Sequence, residues 1–461
     1  MNETLIDQAG ALTALSPLDG RYAGETAPLR DYFSEWALVR DRLRVEIAYL
    51  LALSQDAHLV RPLSAAEANL LRALAANFSP DQAGRVKEIE REIRHDVKAL
   101  EYYLREAVAA TPLADLLEWL HFGLTSEDVT LTAQALALRD SRDAALLPAL
   151  DALVERLAAL AGEYKGLPML ARTHGQPAVP TTLGKELAVF VARLQTARAE
   201  IAAHRFEAKL TGAVGNFNAL VAAAPQVDWL AFSARFVESL GLQPNLATTQ
   251  LVPYDNWIRY FDALRRANGI LLDLAQDMWR YISDDYLVLR VVAGEVGSST
   301  MPQKVNPIDF ENAEGNLGLA NALFTHYAQK LAVSRLQRDL SDSTVRRNFG
   351  VALGHTLLAF LNIRRGLDRV QANEGQLHAD LDAHWEVVAE GVQTILRAAG
   401  VPNAYDQVKA LTRGKTFSRA EFEQWIDRLA VEEAIKTRLR ALTPFSYVGL
   451  AEQIAKQVIS G

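Results

Sequence analysis

Cysteine is absent from this 461-residue chain, which removes disulfides, thiol nucleophiles and thiolate metal sites at one stroke. Also missing is any excess of positive charge: 48 Lys and Arg stand against 56 Asp and Glu, a formal net charge of −8. A polyphosphate binder needs a cationic surface that releases counterions, so nucleic acid is not expected as a partner. A small anion stays open, because a few arginines gathered in one cleft make a positive pocket inside an acidic protein. No apolar run long enough to span a bilayer escapes interruption by charge, and the start MNETLIDQAG lacks a basic region followed by an apolar stretch. No membrane partner and a cytoplasmic enzyme are therefore the expectation. Histidines are not paired convincingly with carboxylates at helical ligand spacing, so no metal site is expected. Internal repeats and low-complexity tracts are lacking too.

What is there is core-forming material. Half of the residues are hydrophobic and 23% are charged, which argues against disorder over most of the length. The length exceeds the usual single-core limit and predicts two or three domains. Alanine and leucine dominate, β-branched runs are scarce, and apolar residues recur at helical spacing wherever glycine and proline are absent, so the chain reads as nearly all α.

Leu146, Leu150, Leu153, Leu157 and Leu160 form one seam along a helix, and Trp257, Phe261, Leu264, Asn268, Leu271, Ala275, Met278 and Ile282 form a second. Seams this long belong to a helical bundle. Each can face an intrachain core; several together also admit an intersubunit bundle, with Asn268 as a polar residue that sets register. Pro112, the loop RTHGQPAVPTT at 172–182 and the loop at 294–307 punctuate the chain. The expected division is a helical domain at 1–114, a long-helix bundle at 115–366 carrying the 294–307 loop, and a helical domain at 367–461.

The most informative segment is GEVGSSTMPQKVNPIDFEN. Gly294 and Gly297 permit unusual backbone angles, while Pro302 and Pro307 forbid a continuous helix. The exit is well specified: Asn306 can cap, Pro307 suits the first helical position, and Asp309 can close a capping box. Free N–H groups, two serines and Lys304 within a few residues are equipment for holding carboxylate oxygens or a developing oxyanion. Read as GSS alone, the segment is as well explained by a flexible connection.

The full string GSSTMPQKVNP resembles the signature loop of the fumarase/aspartase superfamily, whose members eliminate fumarate from succinyl-type substrates. SPLDGRY at 16–22, RHDVKALEYYL at 94–104, HFGLTSEDV at 121–129, ARTHGQPAVPTTLGKE at 171–186 and LQRDLSDSTVRRNFG at 336–350 resemble its nucleotide-directed branch. One departure is Gln303, where many of that branch carry histidine and argininosuccinate lyases commonly carry glutamine. The resemblance implies an all-α, three-domain lyase assembling as a homotetramer around a shared helical core, with active sites built from several subunits and no cofactor. It implies as substrates the succinylated purine nucleotides adenylosuccinate and succinylaminoimidazole carboxamide ribotide. Another fumarate-releasing relative such as argininosuccinate lyase or fumarase is the nearest rival, and a non-catalytic helical scaffold descended from such an enzyme is a rival of another class.

Elimination needs a base for the carbon-bound proton, stabilisation of the dianionic aci-carboxylate and an acid for the leaving nitrogen. By the match Ser298 is the base, helped by N–H dipoles and Lys304. His174 is the acid, and Glu311 is the carboxylate that pairs with it; a capping or packing role in a proline-flanked turn is the alternative for His174. Arg338, Ser343 and Arg347 are assigned to substrate and phosphate contacts, and Thr344, Val345 and Arg346 of the same stretch are implied substrate contacts as well; without the match it also reads as a solvated charged face. Arg21, Tyr22, Arg94, His95, Asp96, Thr125, Ser126, Gln250, Ser299, Val305, Asn306 and Asn312 are implied ligand contacts. For His95 a satisfied histidine on a buried helix face is the rival.

Overall fold

Proline at position 148 explains the first irregularity in the bundle. The helix Ser126–Ser141 passes through a single π turn, Arg142–Leu146, into the helix Leu147–Glu163. Pro148 has no N–H for the carbonyl four residues back, and its ring crowds that carbonyl. The turn widens instead, and the Leu147 N–H donates to Arg142 O, five residues behind. The computed structural model describes residues 8–291, 294, 300–301, 303–412 and 418–460, the side chains of 8 and 9 excepted.

Helices carry the architecture, as the composition predicts. Six are long: Glu35–Gln55, Leu147–Glu163, Leu183–Ala203, Asp255–Ser283, Ile308–Leu331 and Phe349–Arg369. The longest has 29 residues, a rod of about 43 Å at the α-helical rise. Both leucine-type seams are interior. Leu146, Leu150, Leu153, Leu157 and Leu160 are buried, as are Trp257, Phe261, Leu264, Leu271, Ala275 and Met278, while Ile282 at the helix end is half-buried. Asn268 is fully buried, and its amide donates to Thr356 Oγ1 of the same chain at 3.1 Å. The intersubunit role considered for Asn268 is thereby corrected: its seam faces the chain's own core.

Strand is confined, among the described residues, to three two-stranded pieces. The segment 172–182, expected as a loop, instead forms a hairpin: Pro168–Thr173 pairs antiparallel with Gln176–Thr182. Its two-residue turn is His174–Gly175, with φ of 53° and 73°, and positive φ at both central positions matches the twist of a tight hairpin. Valine and threonine favour the pleat, and Pro177 and Pro180 thin the ladder without abolishing it. The helix after the signature loop starts at Ile308, slightly later than the Asn306 cap expected, with Pro307 O accepting from Glu311 N.

Contacts divide the chain into two units; Glu35–Gln55 lies in the first, and the other five long helices contribute to both. One unit comprises residues 1–149, 197–268 and 316–359, with an aromatic core in which Phe261 lies 5.7 Å from Phe324 and 4.9 Å from Phe349 between ring centroids. The other comprises 150–196, 269–315 and 360–461. It includes a C-terminal cluster around Trp385, Val392, Leu396, Phe422 and Ile426.

Candidate active site

A cavity of about 620 Å³ opens within the first unit, where three of the singled-out segments meet. The first is the RHD corner. The helix Pro80–Ile93 ends at Arg94, whose φ of 56° and ψ of 36° are left-handed, an uncommon conformation for a residue with a Cβ. His95 returns to extended backbone and caps the helix Asp96–Val108: its Nδ1 accepts the Lys98 N–H at 3.1 Å. The ring proton of the neutral imidazole is thereby assigned to Nε2. Asp96 accepts from Val97 N at 2.9 Å and from Arg42 Nη2 at 2.8 Å. Burial raises the Asp96 carboxyl, but the Arg42 charge and these hydrogen bonds outweigh it and hold it below the usual range.

The second segment is TSED, the start of the helix Ser126–Ser141. Thr125 precedes it, its N–H donating to Asp128 Oδ2 at 2.9 Å. Asp128 is buried and also accepts from Lys209 Nζ at 2.5 Å, Thr211 N at 3.0 Å and Gly212 N at 3.1 Å. Glu127 is buried too, with one carboxylate oxygen 2.7 Å from Arg338 Nη2 and the other 3.0 Å from Arg346 Nη2.

The third segment is RDLSDSTVRR. Arg338 Nη1 donates to Gln250 Oε1 at 3.0 Å, and Gln250 Nε2 donates to Ala213 O at 3.1 Å. Close approach fixes that neighbourhood: at Gly215, with φ of 82°, a Cβ would lie 2.1 Å from Thr248 O. Arg346 is buried, bonded to Asp342, Gln134 and Glu127. Arg347 is exposed and pairs with Glu35 at 3.1 Å. Neighbouring Arg346 and Arg347 thus differ sharply in burial, although both border the same cavity.

Arg42, Arg94, Arg338, Arg346, Arg347 and His95 line the cavity against only Glu90, Asp96 and Glu127. Among the described residues the Arg94 side chain has no hydrogen-bond or ion-pair partner. An excess of guanidinium groups beside a helix N-terminus, with Ser126, Ser343 and Thr344 hydroxyls, is suited to a phosphorylated or carboxylated ligand.

Of the residues singled out from sequence, Arg94, His95, Asp96, Ser126, Arg338, Ser343, Thr344, Arg346 and Arg347 line this cavity. Thr125 and Gln250 adjoin it through the bonds given. The Val345 side chain is buried. Arg21 lies over the Tyr22 ring, 5.8 Å from its centroid, at the start of the helix Ala23–Phe33, and neither lines the cavity.

The rest belong to the second unit. His174 is exposed at the hairpin tip, and Glu311 accepts from Trp279 Nε1 at 3.1 Å. Among the described residues no hydrogen bond joins His174 to Glu311, so the expected pair is not formed within one chain. Lys304 is exposed, Val305 and Asn306 are half-buried, and Asn312 accepts from Asn362 Nδ2 at 2.6 Å. Ser298 and Ser299 lie outside the described residues. Sequence reasoning missed Arg42, Glu127, Asp128, Gln134 and Lys209. Glu127 and Asp128 stood in a quoted motif; the others carried no motif signal.

Among the described residues no cluster of three His, Asp or Glu could hold a metal ion, and no helix is long and apolar enough to cross a membrane. Residues 20–321 match the lyase family, and residues 334–448 match the adenylosuccinate lyase C-terminal family. Solved structures share the fold, among them the two that follow. The fumarate lyase from Mesorhizobium sp. BNC1 superposes with a TM-score of 0.74 at 20% identity, covering 94% of this chain and 97% of that one. The 3-carboxy-cis,cis-muconate lactonizing enzyme from Pseudomonas putida gives 0.74 at 21%, covering 94% and 96%.

Fold and family match together define a lyase of the fumarase/aspartase superfamily. Among curated relatives, the adenylosuccinate lyase of Vibrio cholerae is 48% identical over 455 residues, covering 98% of this chain and 100% of its own. That of Escherichia coli K12 is 46% identical over 447 residues, covering 96% and 98%, and that of Dictyostelium discoideum 45% over 463, covering 98% and 99%. The chain belongs to the adenylosuccinate lyase family.

Proposed function

We propose that the protein is a fumarate-releasing carbon–nitrogen lyase of purine biosynthesis that converts adenylosuccinate to AMP and succinylaminoimidazole carboxamide ribotide to the free carboxamide ribotide. The observation that carries the reading is the meeting of RHD, TSED and RDLSDSTVRR around one arginine-lined cavity. Membership of the family fixes the class of reaction; the cavity supports the choice of a doubly carboxylated, phosphorylated substrate.

In this reading Ser298 removes the proton from the carbon beside a carboxylate, and the electron pair moves into an aci-carboxylate held by N–H groups and Lys304. The carbon–nitrogen bond then breaks, His174 protonates the departing nitrogen, and fumarate leaves. Glu311 orients His174, and Arg338, Ser343 and Arg347 bind the substrate's anionic groups, with Arg21, Tyr22, Thr344, Gln250, Ser299, Val305, Asn306 and Asn312 completing the contacts.

The working form is a cytoplasmic homotetramer with three-part chains divided at 1–114, 115–366 and 367–461. Exposed Val189, Trp279 and Leu319 on long helices support burial of their faces between subunits. The test is the ultraviolet loss of adenylosuccinate by wild type and Ser298→Ala: the reading expects turnover by the first and near-complete loss in the second. Equal rates, or an inert wild type, overturn it.

A further inference from the structure

We infer that Glu127 is a positioning residue that sets the direction of Arg338 toward the substrate by dividing one carboxylate between Arg338 and Arg346. This rests on the reading that Arg338 binds substrate. Glu127 would otherwise be an odd occupant of a cavity built for an anion, since its charge repels the ligand.

The geometry explains its presence. The Glu127 side chain is 5% exposed and gives one oxygen to each guanidinium, 2.7 Å to Arg338 and 3.0 Å to Arg346. Arg346, at 2% exposed, is bonded at all three nitrogens: Nε to Asp342 Oδ2 at 3.0 Å, Nη1 to Gln134 Oε1 at 2.5 Å and Nη2 to Glu127. Asp342 in turn accepts from the buried Tyr254 hydroxyl at 2.6 Å. This chain of bonds ends on the Glu127 carboxylate and removes its freedom to turn.

Arg338 differs. It is 21% exposed, with its two terminal nitrogens bonded to Gln250 and Glu127. Each of those nitrogens keeps a second N–H for a ligand. A long side chain held in its bound geometry before the ligand arrives loses less freedom on binding. Arg346 therefore serves as the anchor for this device and not as a substrate contact, its charge spent on Glu127 and Asp342.

The test is a double-mutant cycle on adenylosuccinate cleavage by the whole oligomer, with Glu127→Gln, Arg338→Met and the two combined, accompanied by thermal unfolding of each. Glu127→Gln is expected to raise KM about ten-fold, the scale of one charged hydrogen bond, with kcat changed much less. In the Arg338→Met background that effect should vanish, because Glu127 acts through Arg338. If Glu127→Gln does not fold, Glu127→Asp replaces it, keeping the charge but reaching less far, and should raise KM by a smaller factor that also vanishes with Arg338→Met.

An unchanged KM in the folded Glu127 variant, or effects that multiply in the double variant, overturn the inference while leaving the substrate assignment intact. A normal KM in Arg338→Met overturns both. An inert wild type points instead to failure of the functional reading itself.

Discussion

Lys209 Nζ and Asp128 Oδ1 stand 2.5 Å apart with neither side chain reaching solvent. Asp128 opens the helix whose first turn carries Ser126 and Glu127, and Lys209 comes from a segment 81 residues further along. The pair ties the first turn of that helix to the segment around Lys209, Thr211 and Gly212. Lys209 has one other acceptor, Gly212 O at 3.2 Å.

Removing one member strands a buried charge. Lys209→Met is expected to cost about 3–5 kcal/mol of stability, the usual penalty for breaking a buried pair, as read from urea unfolding. Asp128→Asn should be at least as costly, because a neutral amide cannot balance the Lys209 charge and turns an NH2 group against backbone N–H donors that the carboxylate now satisfies. The double variant Asp128→Asn/Lys209→Met should recover part of the loss, and strict additivity of the two changes would contradict the pairing argument.

His204 and His121 predict opposite pH dependences. Burial, with help from Arg142 and Arg259, lowers the His204 pKa to about 4 against the hydrogen bond that its Nε2–H donates to Asn256 Oδ1. The unfolded chain therefore binds the proton more readily, so stability holds above pH ~6.5 and falls as pH drops toward 4. Discounted for partial exposure, the loss is about 2 kcal/mol at most. His121 faces the other way. Burial lowers its pKa, but the Glu46 carboxylate 2.5 Å away, with Glu101 and Asp128 beyond, leaves it raised. Its contribution is complete below the unfolded value and lost as pH rises through the folded one. Unfolding free energies of His204→Gln from pH 4 to 7 should lack the acid-side slope that wild type shows; identical slopes would remove His204 as its source.

His174 and Ser298 offer a test of assembly. With sites shared between subunits, the inactive His174→Asn and Ser298→Ala proteins, unfolded together and reassembled, should regain activity. Random mixing of equal amounts restores roughly a quarter of sites when the two residues come from different chains. Mixtures as inactive as their parents would favour sites completed by one chain alone.

Much of the bundle was legible because burial follows helical period. Every residue of the Leu146–Leu160 seam is interior, and a pattern of that kind survives whatever packs against it. The cavity was legible where charged and hydroxyl residues crowd one short stretch, as at 338–347. Glu127 was not, because an acidic residue beside an anion site becomes meaningful only once its two arginine partners are located in space. Arg42 lies mid-helix with no motif around it, and only folding sets it 2.8 Å from Asp96. The 172–182 hairpin escaped notice because its prolines argue against strand, while the turn geometry at His174–Gly175 that permits pairing is written in backbone angles. Asn268 looked like a residue for a partner helix; Thr356, distant in sequence, supplied the partner from within.

The capping role of His95 has a consequence for proton traffic. In a catalytic triad a carboxylate holds one nitrogen of the imidazole so that the other is presented correctly; here the first turn of a helix does that holding, through the Lys98 N–H. The tautomer is thus favoured by secondary structure, through a backbone N–H, with the Asp96 carboxylate 3.9 Å from the same nitrogen. Fraying of that turn would free the ring to exchange tautomers, without altering a single side chain in the cavity.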